Sequence, residues 1–139
     1  MRTINTDVLI IGGGGAALRA AIEASRSGVQ VTLVLKDKLG KSGATAFQVS
    51  EMAGYNSPDG VEDKLDNPES YFEDMVSAGK GMADPKLAQI VAENAESSVQ
   101  ELDDWGVEFK KNPNGDYYAF LSCFSTKART HVIKGHGEP

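Results

Sequence analysis

The spacing of apolar positions changes several times along this chain, and each change marks an element. Asp7-Val8-Leu9-Ile10-Ile11 is an unbroken run rich in β-branched residues, the pattern of a strand covered on both faces in a parallel sheet. The glycines Gly12 to Gly15 interrupt it. Ala16 to Ser25 then predicts a helix, because alanine and leucine favour that state and Leu18, Ala21, Ile22 and Ser25 share one small-residue face. Gly28 stands where a left-handed residue would close the helix, and Val29–Leu35 predicts a second strand. Strand, glycine turn, helix and strand within about 30 residues make a βαβ unit, which is expected to be parallel and right-handed.

Lys36 to Asn67 keeps no period, and a loop of that length in a compact domain is usually functional. Asn67-Pro68 and Asp84-Pro85 each set a capping side chain before a proline at the first helical position. The first predicts a short amphipathic helix with Tyr71, Phe72, Met75 and Val76, closed near Gly79 and Gly81. The second predicts a longer helix carrying Leu87, Ile90, Val91, Ala95, Val99, Leu102 and Trp105 at helical spacing and ended by Gly106. Val107–Phe109 and Tyr117–Phe120 flank Asn112-Pro113-Asn114-Gly115, which predicts a hairpin. The last stretch, to Pro139, carries no pattern that assigns an element. Trp105 is expected in the core at a helix end, Tyr117 and Tyr118 to alternate in and out, and Cys123 to be a small buried residue. Glu101, Asp103 and Asp104 lack metal-ligand spacing and are expected on a solvated helix face.

Composition narrows the function classes. With 40% hydrophobic and 24% charged residues over 139 positions, the chain has the makings of a globular core. A net charge of −6 repels phosphate backbones and argues against nucleic-acid partners. One cysteine closes no intrachain disulfide, so a reducing, cytoplasmic setting is expected. No apolar run approaches the roughly 20 residues of a membrane span.

The chemistry lies in the glycines. Gly12-Gly13-Gly14-Gly15-Ala16-Ala17 satisfies G-x-G-x-x-A between a buried strand and an Ala-rich helix. The first glycine allows a tight turn, Gly14 lets backbone approach a pyrophosphate, and Ala17 lets helix and strand pack closely. The exposed amides and the helix dipole supply the anion affinity. The bland alternative is a glycine turn with only a packing role. A dinucleotide site also calls for an acidic residue ending the second strand, to hold a ribose hydroxyl. By register that position is Leu35, followed by Lys36 and Asp37, so the contact is absent or displaced to Asp37. Lys36 is either near the cofactor or an ordinary solvated lysine.

The stretch DVLIIGGGGAALRAAIEASRSGVQVTLVLKDKLGKSGAT resembles the start of the flavoprotein subunits of the succinate dehydrogenase/fumarate reductase family, which includes L-aspartate oxidase and adenylylsulfate reductase. YFEDMVSAGKGMADPKLAQIVAENAESSVQELDDWGVEF is similar to that family's two-helix segment, and the likeness covers most of residues 6 to 110. The resemblance implies a Rossmann-like α/β FAD/NAD(P)-binding fold, here partial: a βαβ unit, a helical segment and a hairpin. It implies FAD with its pyrophosphate on Gly12 to Ala17, and Ser42, Gly43, Ala44 and Thr45 in the segment that wraps the cofactor. Gly43 falls where membrane-bound respiratory members carry a flavin-linking histidine, so non-covalent FAD is implied. Ala46-Phe47-Gln48-Val49-Ser50 replaces the Gln-Gly-Gly step common in relatives, and Ser42-Gly43-Ala44 is closer to the adenylylsulfate reductase wording, so the subfamily stays open.

The resulting expectation is an FAD-dependent oxidoreductase that moves a hydride between flavin and a dicarboxylate or similar anionic substrate. An iron–sulfur or other electron-transfer subunit is the implied partner, through which the protein would sit peripherally at a membrane. Residues 1–139 are expected to be the N-terminal portion of an FAD-binding domain, truncated before the rest of it and a substrate-capping domain, and inactive alone. A non-catalytic piece of a split flavoprotein is a second reading. An NAD-binding domain is a third, disfavoured because such domains pass directly from the second strand into the next helix. No catalytic residue is assigned. Arg129, His131 and His136 are candidate substrate-side groups, against the plainer expectation of ordinary surface residues.

Overall fold

Residues 8 to 34 build the expected βαβ unit in the computed structural model, which describes residues 3–41 and 54–134. Strand β1 (Val8–Ile11) pairs in parallel with β2 (Val31–Val34), from Val8 opposite Val31 to Ile11 opposite Val34. Both strands are shorter than the apolar runs. The amides of Asp7 and Val8 both donate to the Gln30 carbonyl at 3.1 Å, while the Asp7 carboxylate accepts from the Gln30 amide, so the regular ladder begins at Val8 and Val31. Helix α1 (Gly15–Arg26) contacts both strands, with Ala17, Leu18, Ala21, Ile22 and Ala24 half-buried along it. Ser25 is exposed, because Ala24 takes the place expected for it. Gly28, at φ 78°, closes the helix as expected. Strand β1, however, alternates half-buried and exposed positions, whereas Val31, Thr32 and Leu33 of β2 are all half-buried. Leu9 and Ile11 point away from the covered side and are 56% and 81% exposed.

A second unit begins at residue 51. Its described elements are β3 (Gly54–Asn56), α2 (Pro68–Ala78), α3 (Pro85–Asp104), β4 (Ala119–Phe120) and β5 (Thr130–Val132). Both helix starts form as the sequence predicts. Asn67 accepts from the Ser70 amide and Ser70 returns a bond to the Asn67 amide, a capping box, while the Asp84 carboxylate accepts from Lys86 and Leu87. The face of α3 is rotated from the expected stripe. Ala88, Ala92, Ala95 and Val99 are buried and Leu87, Ile90 and Val91 are exposed. Small alanines allow α3 to lie close to α2, which it contacts directly.

Several further expectations are corrected here. The hairpin closes only near its turn, where the Tyr118 amide donates to the Lys110 carbonyl at 2.9 Å. Beyond that its arms pair elsewhere: Ala119 and Phe120 join β5, and Phe109 bridges to Ile133. That makes β5, in a stretch without sequence pattern, the central strand of the sheet β3-β5-β4, and it places β3 within the segment read as loop. Trp105 is the C-cap of α3 and 47% exposed rather than core, and Cys123 is exposed rather than buried. Tyr117 and Tyr118 are both half-buried.

Candidate cofactor site

The glycine turn follows directly from the strand geometry. The last ladder bond runs from the Gly12 amide to the Val34 carbonyl at 2.9 Å, and Gly12 then takes φ +121°, a conformation that side-chain-bearing residues rarely adopt. A Cβ on Gly12 would lie 3.9 Å from the Ala17 Cβ, so the small residue at 17 allows this close passage of helix past strand. Gly13 is a packing position. A Cβ there would sit 2.7 Å from Leu35 Cδ2 and 3.3 Å from Leu39 Cδ1. Gly14 is the N-cap of α1 in an extended conformation and brings no capping side chain, and the first intrahelical bond joins the Leu18 amide to the Gly14 carbonyl at 3.0 Å. Gly14, Gly15 and Ala16 are exposed, and no acidic residue stands in the first turn. A helix start that presents backbone, no blocking side chain and no opposing carboxylate fits a pyrophosphate.

The structure brings the Leu35 side chain into this turn, beside Gly13. Lys36 and Asp37 are exposed, and Asp37 Oδ1 accepts from the Lys38 amide at 2.7 Å. Ser42, Gly43, Ala44, Thr45 and His136 lie outside the described residues.

Arg129 and His131 are neither surface residues nor presented outward; both side chains are 0% exposed. Arg129 Nη2 reaches Asp66 Oδ1 and Nη1 reaches Asp74 Oδ2, each at 2.7 Å, while Nε donates to both Asp66 oxygens. Ser70 Oγ accepts from Nη2 at 3.2 Å, and the Tyr71 ring stacks 5.0 Å from the guanidinium. The amide and hydroxyl of Thr126 both donate to Asp74 Oδ2. Every guanidinium nitrogen is engaged, so this arginine ties α2 and the segment before it to the strand β5. Reading the sequence missed the cluster. Its one legible signal is Asp74, an acid set among Tyr71, Phe72 and Met75, where only a buried partner makes it tolerable.

His131 Nε2 lies 2.8 Å from Asp59 Oδ2, and its ring packs 5.0 Å from that of Tyr117. Burial alone would raise the Asp59 carboxyl. The hydrogen bonds from His131 and the Val61 amide outweigh it and hold the carboxyl below its ordinary 3.8. The acidic helix face is also more engaged than expected, since Asp103 Oδ2 accepts from Lys111 at 3.0 Å and from the Tyr117 hydroxyl at 2.8 Å. Burial, then that bond to Asp103, pushes the Tyr117 hydroxyl up to about 12.

Comparison with known proteins agrees with this geometry. The family described as FAD binding domain matches residues 7–134. A fumarate reductase (CoM/CoB) subunit of Methanothermobacter marburgensis is 37% identical over 109 residues, which cover 78% of this chain and 19% of that protein. The L-aspartate oxidase of Vibrio cholerae is 34% identical over 110 residues, 79% of this chain and again 19% of the relative. Among solved structures, a chain of the Mycobacterium smegmatis Sdh1 complex in the apo form superposes with a TM-score of 0.85 at 28% identity, covering 95% of this chain and 22% of that one. The chain therefore spans about a fifth of the length of the curated relatives it matches. Its partial Rossmann-like fold, its glycine turn and these likenesses agree: the chain belongs to the FAD binding domain family, among the flavoproteins of succinate dehydrogenase/fumarate reductase type.

Proposed function

We propose that the turn Gly12–Ala17 holds the pyrophosphate of FAD without a covalent link, and that this chain is the cofactor-gripping part of a flavin-dependent oxidoreductase. The observation that carries the reading is the backbone of that turn. Gly12 at φ +121° delivers the chain into a helix start with no side-chain cap, beside the end of β2. Leu35, Lys36 and Asp37 then border the adenosine side, with Leu35 as a hydrophobic wall, and the family resemblance assigns Ser42, Gly43, Ala44 and Thr45 to the same cofactor. FAD supplies the hydride chemistry when bound, and the protein groups bind and orient. The substrate class is a dicarboxylate or similar anion, supported by the fumarate reductase likeness, and the electrons pass to an iron–sulfur or other electron-transfer subunit. Residues 1–139 form the N-terminal part of the FAD-binding domain in this reading. The low coverage of the relatives and the one-sided cover of β1 support it. Among the described residues no helix is long and apolar enough to cross a membrane; a cytoplasmic setting, peripheral to a membrane through a partner subunit, is part of the proposal.

The test replaces Gly14 with valine and follows FAD binding by flavin fluorescence quenching, with circular dichroism as the fold control. A β-branched side chain at the helix N-cap blocks the approach of the pyrophosphate. The variant should bind FAD at least about tenfold more weakly while keeping its helix content. Equal affinity in the two proteins would remove the phosphate site from this turn. Acid precipitation should release all flavin into the supernatant, and flavin retained on the denatured chain would refute the non-covalent link.

A further inference from the structure

His131 is the middle residue of the central strand β5, and its imidazole is fully buried. Both ring nitrogens face acceptors: Nε2 lies 2.8 Å from Asp59 Oδ2, and Nδ1 lies 3.3 Å from the Tyr118 carbonyl oxygen. A carbonyl oxygen never donates, so the contact with Tyr118 requires a proton on Nδ1. A second proton must then lie between Nε2 and the carboxylate. Burial works against charge on Asp59, yet the bonds from His131 and the Val61 amide hold its carboxyl below the ordinary 3.8, which leaves that proton on the ring.

The pair also has a mechanical place. The chain after β3 is fixed at Ser57, whose amide donates to the Arg129 carbonyl at 2.8 Å, and again at Asp63 and Asp66, which hold Lys127 and Arg129. Between these points Gly60 turns at φ 68°, and residues 58–62 are bonded to the rest of the unit through Asp59 and through the exposed Glu62, which accepts from Asn112 at 3.1 Å. Tyr117 packs its ring on the imidazole but turns its hydroxyl to Asp103, which also holds Lys111. Tyr55 stands opposite His131 in β3, and Arg129, two residues earlier in β5, is bound to Asp66 and Asp74. Asp59 is thus the carboxylate in hydrogen-bond contact with the ring.

We infer that His131 and Asp59 form a pH-sensitive latch, an imidazolium–carboxylate pair that fastens residues 58–62 to the central strand and releases them when the ring gives up a proton. A ring with one proton satisfies only one of its two acceptors, and the other contact becomes lone pair against lone pair. The contribution of the latch to stability is therefore present while the ring is doubly protonated and is lost as pH rises.

The test follows the imidazole rings of the isotope-labelled full chain by proton–nitrogen NMR, with His136→Gln assigning the signals. At about pH 6.5, where an ordinary imidazole is half protonated, both ring nitrogens of His131 should carry protons. Hydrogen exchange reads the release. The Val61 amide donates to Asp59 Oδ1 at 3.1 Å and reports the latch, while the Leu65 amide donates to Asp63 Oδ1 at 2.9 Å and reports the ordinary acceleration of exchange by base. The ratio of Val61 to Leu65 exchange should rise about tenfold as the ring deprotonates, the loss of one charge-assisted hydrogen bond. Asp59→Asn should move the ring titration to lower pH by at least about one unit, and His131→Gln should make the ratio flat. A His131 ring that is neutral or half protonated near pH 6.5, a ratio that stays constant in the parent, or a titration unmoved by Asp59→Asn would each overturn the inference. The ring signal of the parent decides even if a variant unfolds.

Discussion

The two units of this chain bury their apolar residues very differently. Among the described residues of the first, none is fully buried, although its strands are the most hydrophobic segments of the sequence. The second unit has a core of Ala88, Ala92, Ala95, Val99, Phe109, Ala119 and Val132, together with the buried charges of Arg129, Asp66 and Asp74. A parallel pair with one helix has a covered face and an open one, and such pairs gain stability only when further elements bury both. The second unit instead packs α2 on α3 and ties α2 to the start of β5 through the buried ion cluster. Apolar content therefore says little about where stability resides; enclosure decides it.

The sharpest way to break this contrast is Arg129→Ala. Removing the guanidinium strands two buried carboxylates, a change that costs about 3–5 kcal/mol. The urea midpoint followed by Trp105 fluorescence should fall accordingly, and a loss below about 1 kcal/mol would show that the second unit does not depend on this cluster. A smaller effect follows from Asp59. Its folded-state carboxyl lies below 3.8, so the bond to His131 contributes stability above that value and loses it as pH falls through and below 3.8. Acid unfolding of Asp59→Asn should therefore be less steep over that range than that of the parent. Parallel curves would remove Asp59 from the acid response. The smallest effect is expected at Ile11, which is 81% exposed. Ile11→Ala should change the stability of the chain by no more than about 0.5 kcal/mol, whereas Phe109→Ala should cost about 3–5 kcal/mol. A large loss at Ile11 would mean that β1 is covered on both faces, and the contrast between the units would disappear.

The elements with local causes were legible without a structure. The glycine turn, α1 and the starts of α2 and α3 each depend on residues within a few positions of one another: Gly12 for a positive φ, Asn67 with Ser70 for a capping box, Asp84 before a proline. The motif Gly12–Ala17 was readable for the same reason, since its conformation rests on backbone freedom at neighbouring residues rather than on distant side chains. What lay between Leu121 and Lys134 was not legible. Thr130-His131-Val132 has neither alternation nor a hydrophobic run, and becomes the central strand only because β3 and β4 arrive on its two sides. Arg129 and His131 read as surface residues because a charge is tolerated inside only with partners, and theirs lie 55 to 72 positions away at Asp74, Asp66 and Asp59. By itself the sequence determined turns, caps and helix starts, which short-range sterics and hydrogen bonds dictate. Only the tertiary structure decided which faces are covered and which charges are paired, because both depend on segments that meet across long loops.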